Sequence, residues 1–280
     1  MIKKNTLIKD FKEGMTIKGF YLCSYIESKI TRLGDEYLDV QLEDKTGSIR
    51  AKIWSFVDSY KDLINSSSAV AVKGKIIKYN NLNEVNILYI NNVEPSIYSK
   101  YGYNESNLVR KVDEKVSVLF NYMIKKINDL DEPYLSILKL IVKENENKIK
   151  RIPSLDSSYN LSGGYLLEIV TILKLNENIF SSYKKLDKNI VISGIILKNI
   201  GLINFFNDDI QFSIKDGNEN LDLRILSLNL INHYFNKDKY KIINKNVQNI
   251  IISNNDSSEK NTKFINALYD FNKNMKKSKI

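Results

Sequence analysis

Between Tyr37 and Trp54, apolar and polar residues alternate with a period of two. Leu38, Val40 and Leu42 share one side of the first run, and Ile49, Ala51 and Ile53 share one side of the second. Half-buried strands give this pattern. Asp44-Lys45-Thr46-Gly47 between the runs has turn composition, so the segment predicts a hairpin. Upstream, Thr16–Leu22 alternates more loosely. Downstream, strands are expected from Val70 to Tyr79 and from Val85 to Val93, on either side of an Asn80-Asn81 turn. A short helix is expected over residues 55–66, where Phe56, Val57, Tyr60, Leu63 and Ile64 recur at helical spacing.

Five short strands with a helix between the third and fourth follow the order of an OB-fold barrel. Residues 96–110, rich in Ser, Tyr, Gly and Asn, read as a linker. The period becomes helical from Lys111, with Val112, Val116, Leu119, Phe120, Met123 and Ile127 on one face. Pro133 opens a further helix running from Tyr134 to about Lys143. Helices are also expected over residues 163–180, 186–206, 221–235 and 260–275, with residues 236–259 left unassigned. The expected architecture is multidomain: an N-terminal five-stranded OB-fold β-barrel (1–95), a linker (96–110) and an all-α domain (111–280).

Composition narrows the chemistry. The 280 residues include one His (His233), one Cys (Cys23) and one Trp (Trp54). A single Cys permits no intrachain disulfide and no multi-cysteine zinc site, and the default setting for such a chain is reducing and cytoplasmic. A single His permits no metal centre or relay needing two imidazoles. Polar residues break up the start of the chain, so no signal peptide is expected, and no uninterrupted apolar run suggests a membrane partner. The net charge of +9 is a weak pointer, because Lys, Asn and Ile are all abundant together, as AT-rich codon usage produces. The basic C-terminal run from Lys273 to Lys279 reads as a solvated end.

If the apolar set of the hairpin fills a barrel, Tyr37, Asp39, Gln41, Ser48, Arg50, Lys52 and Trp54 lie on its outer face, with Lys73 and Lys75 added from the fourth strand. Cations for phosphate and flat rings for bases are what a single-strand binder needs, and the OB-fold face centres on these two strands. Tyr37, Gln41, Arg50, Lys52, Trp54, Lys73 and Lys75 are therefore the candidate nucleic-acid-binding residues, with single-stranded RNA or DNA as the expected partner. Cys23, with no His nearby, reads as an inert, half-buried thiol near the end of the first strand. Gly163-Gly164 precedes an apolar helix but lacks the third Gly of a dinucleotide loop, and no phosphate-loop or nucleophile-elbow motif occurs.

Several stretches in order resemble the YhaM-type 3′→5′ exoribonucleases, which join an OB-fold to an HD-superfamily phosphohydrolase domain. They are Phe11-Lys12-Glu13-Gly14, Gly19–Leu22, Leu42–Gly47, Ala51–Trp54, Val72-Lys73-Gly74, Asn160–Leu175 and Ser193–Gly201. The resemblance spans most of residues 8–206 and implies an HD-like helical half. The departures fall on the metal ligands. The family's His-Asp pair matches Lys198-Asn199, its earlier histidine matches Glu168 (or Ile169), and its preceding His pair matches Ser158-Tyr159. A family lysine matches Leu202, and Asn254-Asn255 stand where a later His pair would be. An ammonium at a ligand position repels a divalent cation, and His233 matches none of these positions. The resemblance thus implies a scaffold without its metals: no cofactor and no catalytic residue is expected. Mn²⁺ or Mg²⁺ would enter only through a rebuilt carboxylate site made of Glu168 with Asp208, Asp209, Asp216 or Asp222. The apolar run Val191–Leu197 is expected to be core, with a protein-docking role as the alternative.

Overall fold

The computed structural model describes residues 5–183, 185–210, 212–235, 240–253 and 259–277. Met1–Lys4, Asn254-Asn255 and Ser278-Lys279 lie outside them. The chain divides into two compact units, one formed by Met1–Lys111 with Asp208–Ser213 and the other by Val112–Asn207 with Ile214–Ile280.

The first unit is a closed five-stranded barrel in the order β1-β2-β3-β5-β4, made of β1 (Thr16–Ile30), β2 (Glu36–Asp44), β3 (Gly47–Ile53), β4 (Ser68–Tyr79) and β5 (Leu82–Asn92). Helix α1 (Val57–Leu63) stands between β3 and β4. This is the OB-fold arrangement expected from the alternation. Leu38, Val40, Leu42, Ile49, Ala51 and Ile53 are all buried and form the core with Ile17, Tyr21, Val70, Val72, Ile76, Val85, Ile87 and Ile90. Lys45-Thr46 make the β2–β3 turn. Its geometry is held by Asp44, whose carboxylate accepts from the Thr46 and Ile8 amides, each at 2.7 Å. Asn80 and Asn81 both take positive φ (47° and 64°), as the two-residue turn between β4 and β5 requires.

Two expectations for this unit are corrected. Strand β1 does not end near Leu22. Its first half pairs with β4 (Thr16–Cys23) and its second with β2 (Leu22–Ile30), with an irregularity between Cys23 and Tyr25 where it passes from one partner to the other. Cys23 therefore lies mid-strand and fully buried, and burial pushes its thiol up to about 12. Phe56 does not sit on a buried helix face. It precedes α1 in the left-handed region (φ 58°), a conformation rarely taken by a bulky residue, and is 77% exposed.

Residues 96–110 pack onto the barrel instead of spanning open space. Helix α2 (Pro95–Tyr98) sets the Tyr98 ring against Phe20 (5.7 Å between centroids), Tyr103 contacts the same ring at 5.5 Å, and Leu108 is buried with Leu22 and Ala69.

The second unit is predominantly helical: α3 (Val116–Asn128), α4 (Tyr134–Glu144), α5 (Glu146–Arg151), α6 (Gly164–Phe180), α7 (Lys188–Leu197), α8 (Leu202–Phe205), α9 (Leu223–Tyr234), α10 (Lys241–Ile252) and α11 (Lys260–Lys277). Helix α3 starts at Val116, so Val112 is buried ahead of it with its amide bonded to the Ser162 carbonyl at 3.1 Å. Helix α7 lies at the centre, packed against α6, α10 and α11, and Val191–Leu197 are all buried. The helix expected over 186–206 is broken at Lys198–Gly201. There the Gly201 amide donates to Ser227 Oγ at 2.9 Å, and a Cβ on Gly201 would lie 2.5 Å from the Ser227 nitrogen. Lys188–Phe205 has the length and composition of a membrane span, yet 67% of that window is buried in the structure.

Candidate nucleic-acid interface

The register of the barrel fixes which outward residues are neighbours. Tyr25 of β1, Gln41 of β2 and Arg50 of β3 form one lateral row. Glu27, Asp39, Lys52 and Asn86 of β5 form the next. Just past the end of β3, the Trp54 ring stacks on Tyr37, with centroids 4.8 Å apart and planes 26° from parallel. Trp54 keeps 45% of its surface exposed, so the stacked pair offers a flat face to solvent. Arg50 is exposed beside Gln41.

Lys52 occupies the middle of this surface. Its ammonium lies 5.7 Å from the Tyr37 centroid, 5.9 Å from Trp54 and 4.6 Å from Tyr79. It also sits 3.3 Å from Glu84 Oε2, a carboxylate with only 8% of its side chain exposed. That oxygen makes no hydrogen bond among the described residues, so the lysine charge alone compensates it. Lys52 thus clusters Tyr37, Trp54 and Tyr79 around one cation. Nearby, Lys29 bonds Asp39 at 2.6 Å and lies 3.3 Å from Glu27, which also accepts from the Tyr25 hydroxyl.

Of the seven residues named from the sequence, the structure brings Tyr37, Gln41, Arg50, Lys52 and Trp54 together on the β2–β3 face. Lys75 pairs across β5 with Asn86, two strands from Lys52. Lys73 lies elsewhere, paired with Lys18 of β1 on one side and Tyr89 of β5 on the other. Tyr79 and Glu84 were missed. The aromatic residue directly before the Asn-Asn turn marked Tyr79. Glu84 carried no signal, because a charge at an outward strand position reads as solvated.

The second unit holds a polar cavity of about 270 Å³, lined by Ser154, Asp156, Glu168, Asn199, Asp270 and Lys273 among others. Ser154 Oγ donates to Glu168 at 2.6 Å, and burial pushes the Glu168 carboxyl up. Lys198 donates to Asn266 Oδ1 and lies 4.7 Å from the Tyr269 centroid. Burial lowers its ammonium against the opposing pull of Asp270 and Glu168. Tyr159 is buried, with its hydroxyl bonded to Asn272 at 3.0 Å. Gly163-Gly164 serves the helix start: Gly163 takes φ 81°, and a Cβ on Gly164 would fall 1.8 Å from the Tyr159 carbonyl oxygen.

These residues do not suit a divalent cation. The positive charge of Lys198 acts on Glu168, and among the described residues no three His, Cys, Asp or Glu groups form a metal-holding cluster. Asp208 and Asp209 belong to the barrel unit. Asp222 caps α9 and pairs with Arg224. His233 is exposed on α9.

A family model described as an OB-fold nucleic acid binding domain (tRNA anti-codon) matches residues 25–94. Three solved structures align at low similarity. The second OB-fold domain of replication protein A from Methanococcus maripaludis is 17% identical, with a TM-score of 0.28, over 32% of this chain and 96% of that one. A replication protein A heterotrimer bound to single-stranded DNA is 16% identical at a TM-score of 0.26, over 35% and 70%. Asparaginyl-tRNA synthetase from Entamoeba histolytica is 15% identical at a TM-score of 0.28, over 53% of this chain and 34% of that one. No curated protein matches the chain. The barrel is an OB-fold nucleic-acid-binding domain, on the combined ground of its topology and the matched family model.

Proposed function

We propose that the chain binds single-stranded nucleic acid, RNA in the first instance, on the β2–β3 face of its barrel. We also propose that its helical unit is an HD-like scaffold, related to the YhaM-type exoribonucleases, without phosphodiesterase chemistry. The observation that carries the binding reading is the stacked Tyr37–Trp54 pair. It is open on one face and surrounds Lys52, with Arg50 exposed two residues away on the same strand. A base stacks on the exposed indole, Tyr37 holds that indole in place, and Arg50 is placed for the adjoining phosphate. Stacking of this kind contributes about 1–3 kcal/mol per base and tolerates any sequence. RNA is favoured by the resemblance, and the scaffold reading is supported by Glu168 and Asn199 lining one cavity while the Lys198 ammonium is held by Asn266.

Trp54 is the only tryptophan, so its fluorescence reports on this face alone. Oligouridylate should quench it, with an affinity that falls steeply as salt rises. Trp54→Ala with Tyr37→Ala should weaken binding at least tenfold, measured by anisotropy of an end-labelled oligonucleotide. Unchanged fluorescence together with undiminished affinity of the double variant would remove the face from consideration. A 3′-shortening ladder from labelled RNA, abolished by EDTA, would overturn the inert-scaffold part.

A further inference from the structure

On the β1–β4–β5 side, the barrel carries a second concavity that the β2–β3 face does not include. It has a volume of about 380 Å³ and is lined by Lys18, Phe20, Lys73, Tyr89, Tyr98 and Tyr101 among others. Its edge is built by Asn5, whose side-chain amide donates to the Phe20 carbonyl at 3.0 Å and whose Oδ1 accepts from the Phe20 amide at 2.9 Å. Gly19 makes this clamp possible, since a Cβ there would fall 2.0 Å from Asn5 Oδ1. Tyr98 is fixed edge-on against Phe20, with its hydroxyl accepting from Asn91 at 3.3 Å. Tyr89 and Tyr101 are 49% and 59% exposed.

The charge pattern differs from that of the first face. Among the described residues no carboxylate lines the groove. Lys18 and Lys73, side by side across β1 and β4, make no ion pair among the described residues, and Lys100 lies 5.3 Å from the Tyr101 centroid at the rim. The register also joins this groove to the first face. Lys52, Asn86 and Lys75 form a lateral row over β3, β5 and β4. Lys73 follows Lys75 on the same face, about 6.6 Å along the strand.

We propose that this groove is a second nucleotide subsite, which takes a base between the exposed rings of Tyr89 and Tyr101 and its phosphate on Lys18 and Lys73. The occupant is a continuation of the same single strand, led from the β2–β3 face past Lys75. Unopposed cations beside exposed rings suit a nucleotide, which brings an anion and an aromatic face together. The volume matches that of a small-ligand site. This proposal rests on reading the barrel as a single-strand binder, and its test keeps the two apart.

Affinities of a 5-mer and a 15-mer oligouridylate would be measured for the wild type, Tyr89→Ala/Tyr101→Ala and Lys18→Gln/Lys73→Gln. All four side chains are exposed, so the fold should hold, with circular dichroism as the control. The 5-mer should bind all three proteins equally and quench Trp54 alike. The 15-mer should lose at least tenfold in affinity on either double change. The lysine pair should also reduce the slope of log affinity against log salt by about 1.4, at about 0.7 per single-strand phosphate. Equal 15-mer affinity in all three proteins would overturn the proposal. If the 5-mer fails to quench Trp54 even in the wild type, the first site falls and the groove is tested with uridine monophosphate alone. Shifts of the Tyr89 and Tyr101 ring resonances would then support the subsite, and their absence would overturn it. Displacement of the groove tyrosines by a peptide but not by the nucleotide would equally overturn it in favour of a protein partner.

Discussion

Lys52 on the barrel and Lys198 in the helical unit are set alike and behave differently. Each ammonium lies within 5 Å of a tyrosine ring, Tyr79 at 4.6 Å and Tyr269 at 4.7 Å, and each has a buried glutamate nearby. Lys52 keeps 19% of its side chain exposed and has three rings gathered around it. Lys198 has one ring and the Asn266 amide oxygen beside it, and burial works against its charge. The same lysine–tyrosine pairing belongs to a three-ring cluster in one place and to a hydrogen-bonded polar contact in the other. Their neighbours are what separate the two. A cation taken partly out of water must be matched by counter-charge or hydrogen bonds, as Glu84 matches Lys52 and Asn266 matches Lys198.

The contrast is sharpest in stability. Lys198→Ala removes the charged hydrogen bond to Asn266 Oδ1, and chemical denaturation should show a loss of about 1.5–3 kcal/mol. Lys52→Ala leaves Glu84 buried and unpaired at the barrel wall, a loss of about 1–3 kcal/mol. Adding Glu84→Gln should recover most of it. The barrel carries its own reporter, because the buried Cys23 thiol is held up to about 12 and reacts only when the barrel opens. Lys52→Ala should therefore speed Cys23 labelling at neutral pH. Equal labelling rates would show that Lys52 does not hold the barrel together.

Titration gives the smallest and most specific effect. The folded pKa of Glu168 lies above its ordinary value of 4.5, so the folded state holds that proton more tightly than the unfolded one. Its contribution is fully present below 4.5 and is lost as pH rises through the folded value. Lys198 is shifted below 10.5, so its charge penalises folding at neutral pH and that penalty fades as pH rises from the folded value to 10.5. Glu168→Gln should flatten the acidic segment of the stability profile. Lys198→Met should flatten the alkaline one. Unaltered slopes would mean that neither group is buried in its charged form.

The barrel was largely legible in the sequence because β2 and β3 each bury one face, which imposes period two on Leu38–Leu42 and Ile49–Ile53. The second half of β1 was not. The irregularity at Cys23/Tyr25 breaks the phase of the pattern, and most of Tyr25–Ile30 faces outward. In the helical unit, α7 is buried on every side, so its apolar run has no polar stripe. Periodicity could therefore not locate its end. That end is set by Gly201 lying against Ser227, a contact between distant positions that no local pattern encodes. On the β2–β3 face, Tyr37, Gln41, Arg50, Lys52 and Trp54 followed from alternation alone. Lys73 was assigned to the same surface because the period of two says which side a residue faces, but not where it lies around a closed barrel. Tyr98 and Tyr101 were hidden in a stretch whose composition suggests a linker.

Strand β3 meets β5 through only three residue pairs, Ala51–Val85, Lys52–Asn86 and Ile53–Ile87, and this short parallel seam is what closes the barrel. The Lys52–Glu84 pair lies directly across it. Replacing Lys52 therefore alters the aromatic cluster and the barrel seam together. A substitution that retunes the aromatic cluster by replacing Lys52 also unfastens the cylinder. Changes at the surrounding rings or at Arg50 leave the Lys52–Glu84 clasp itself in place.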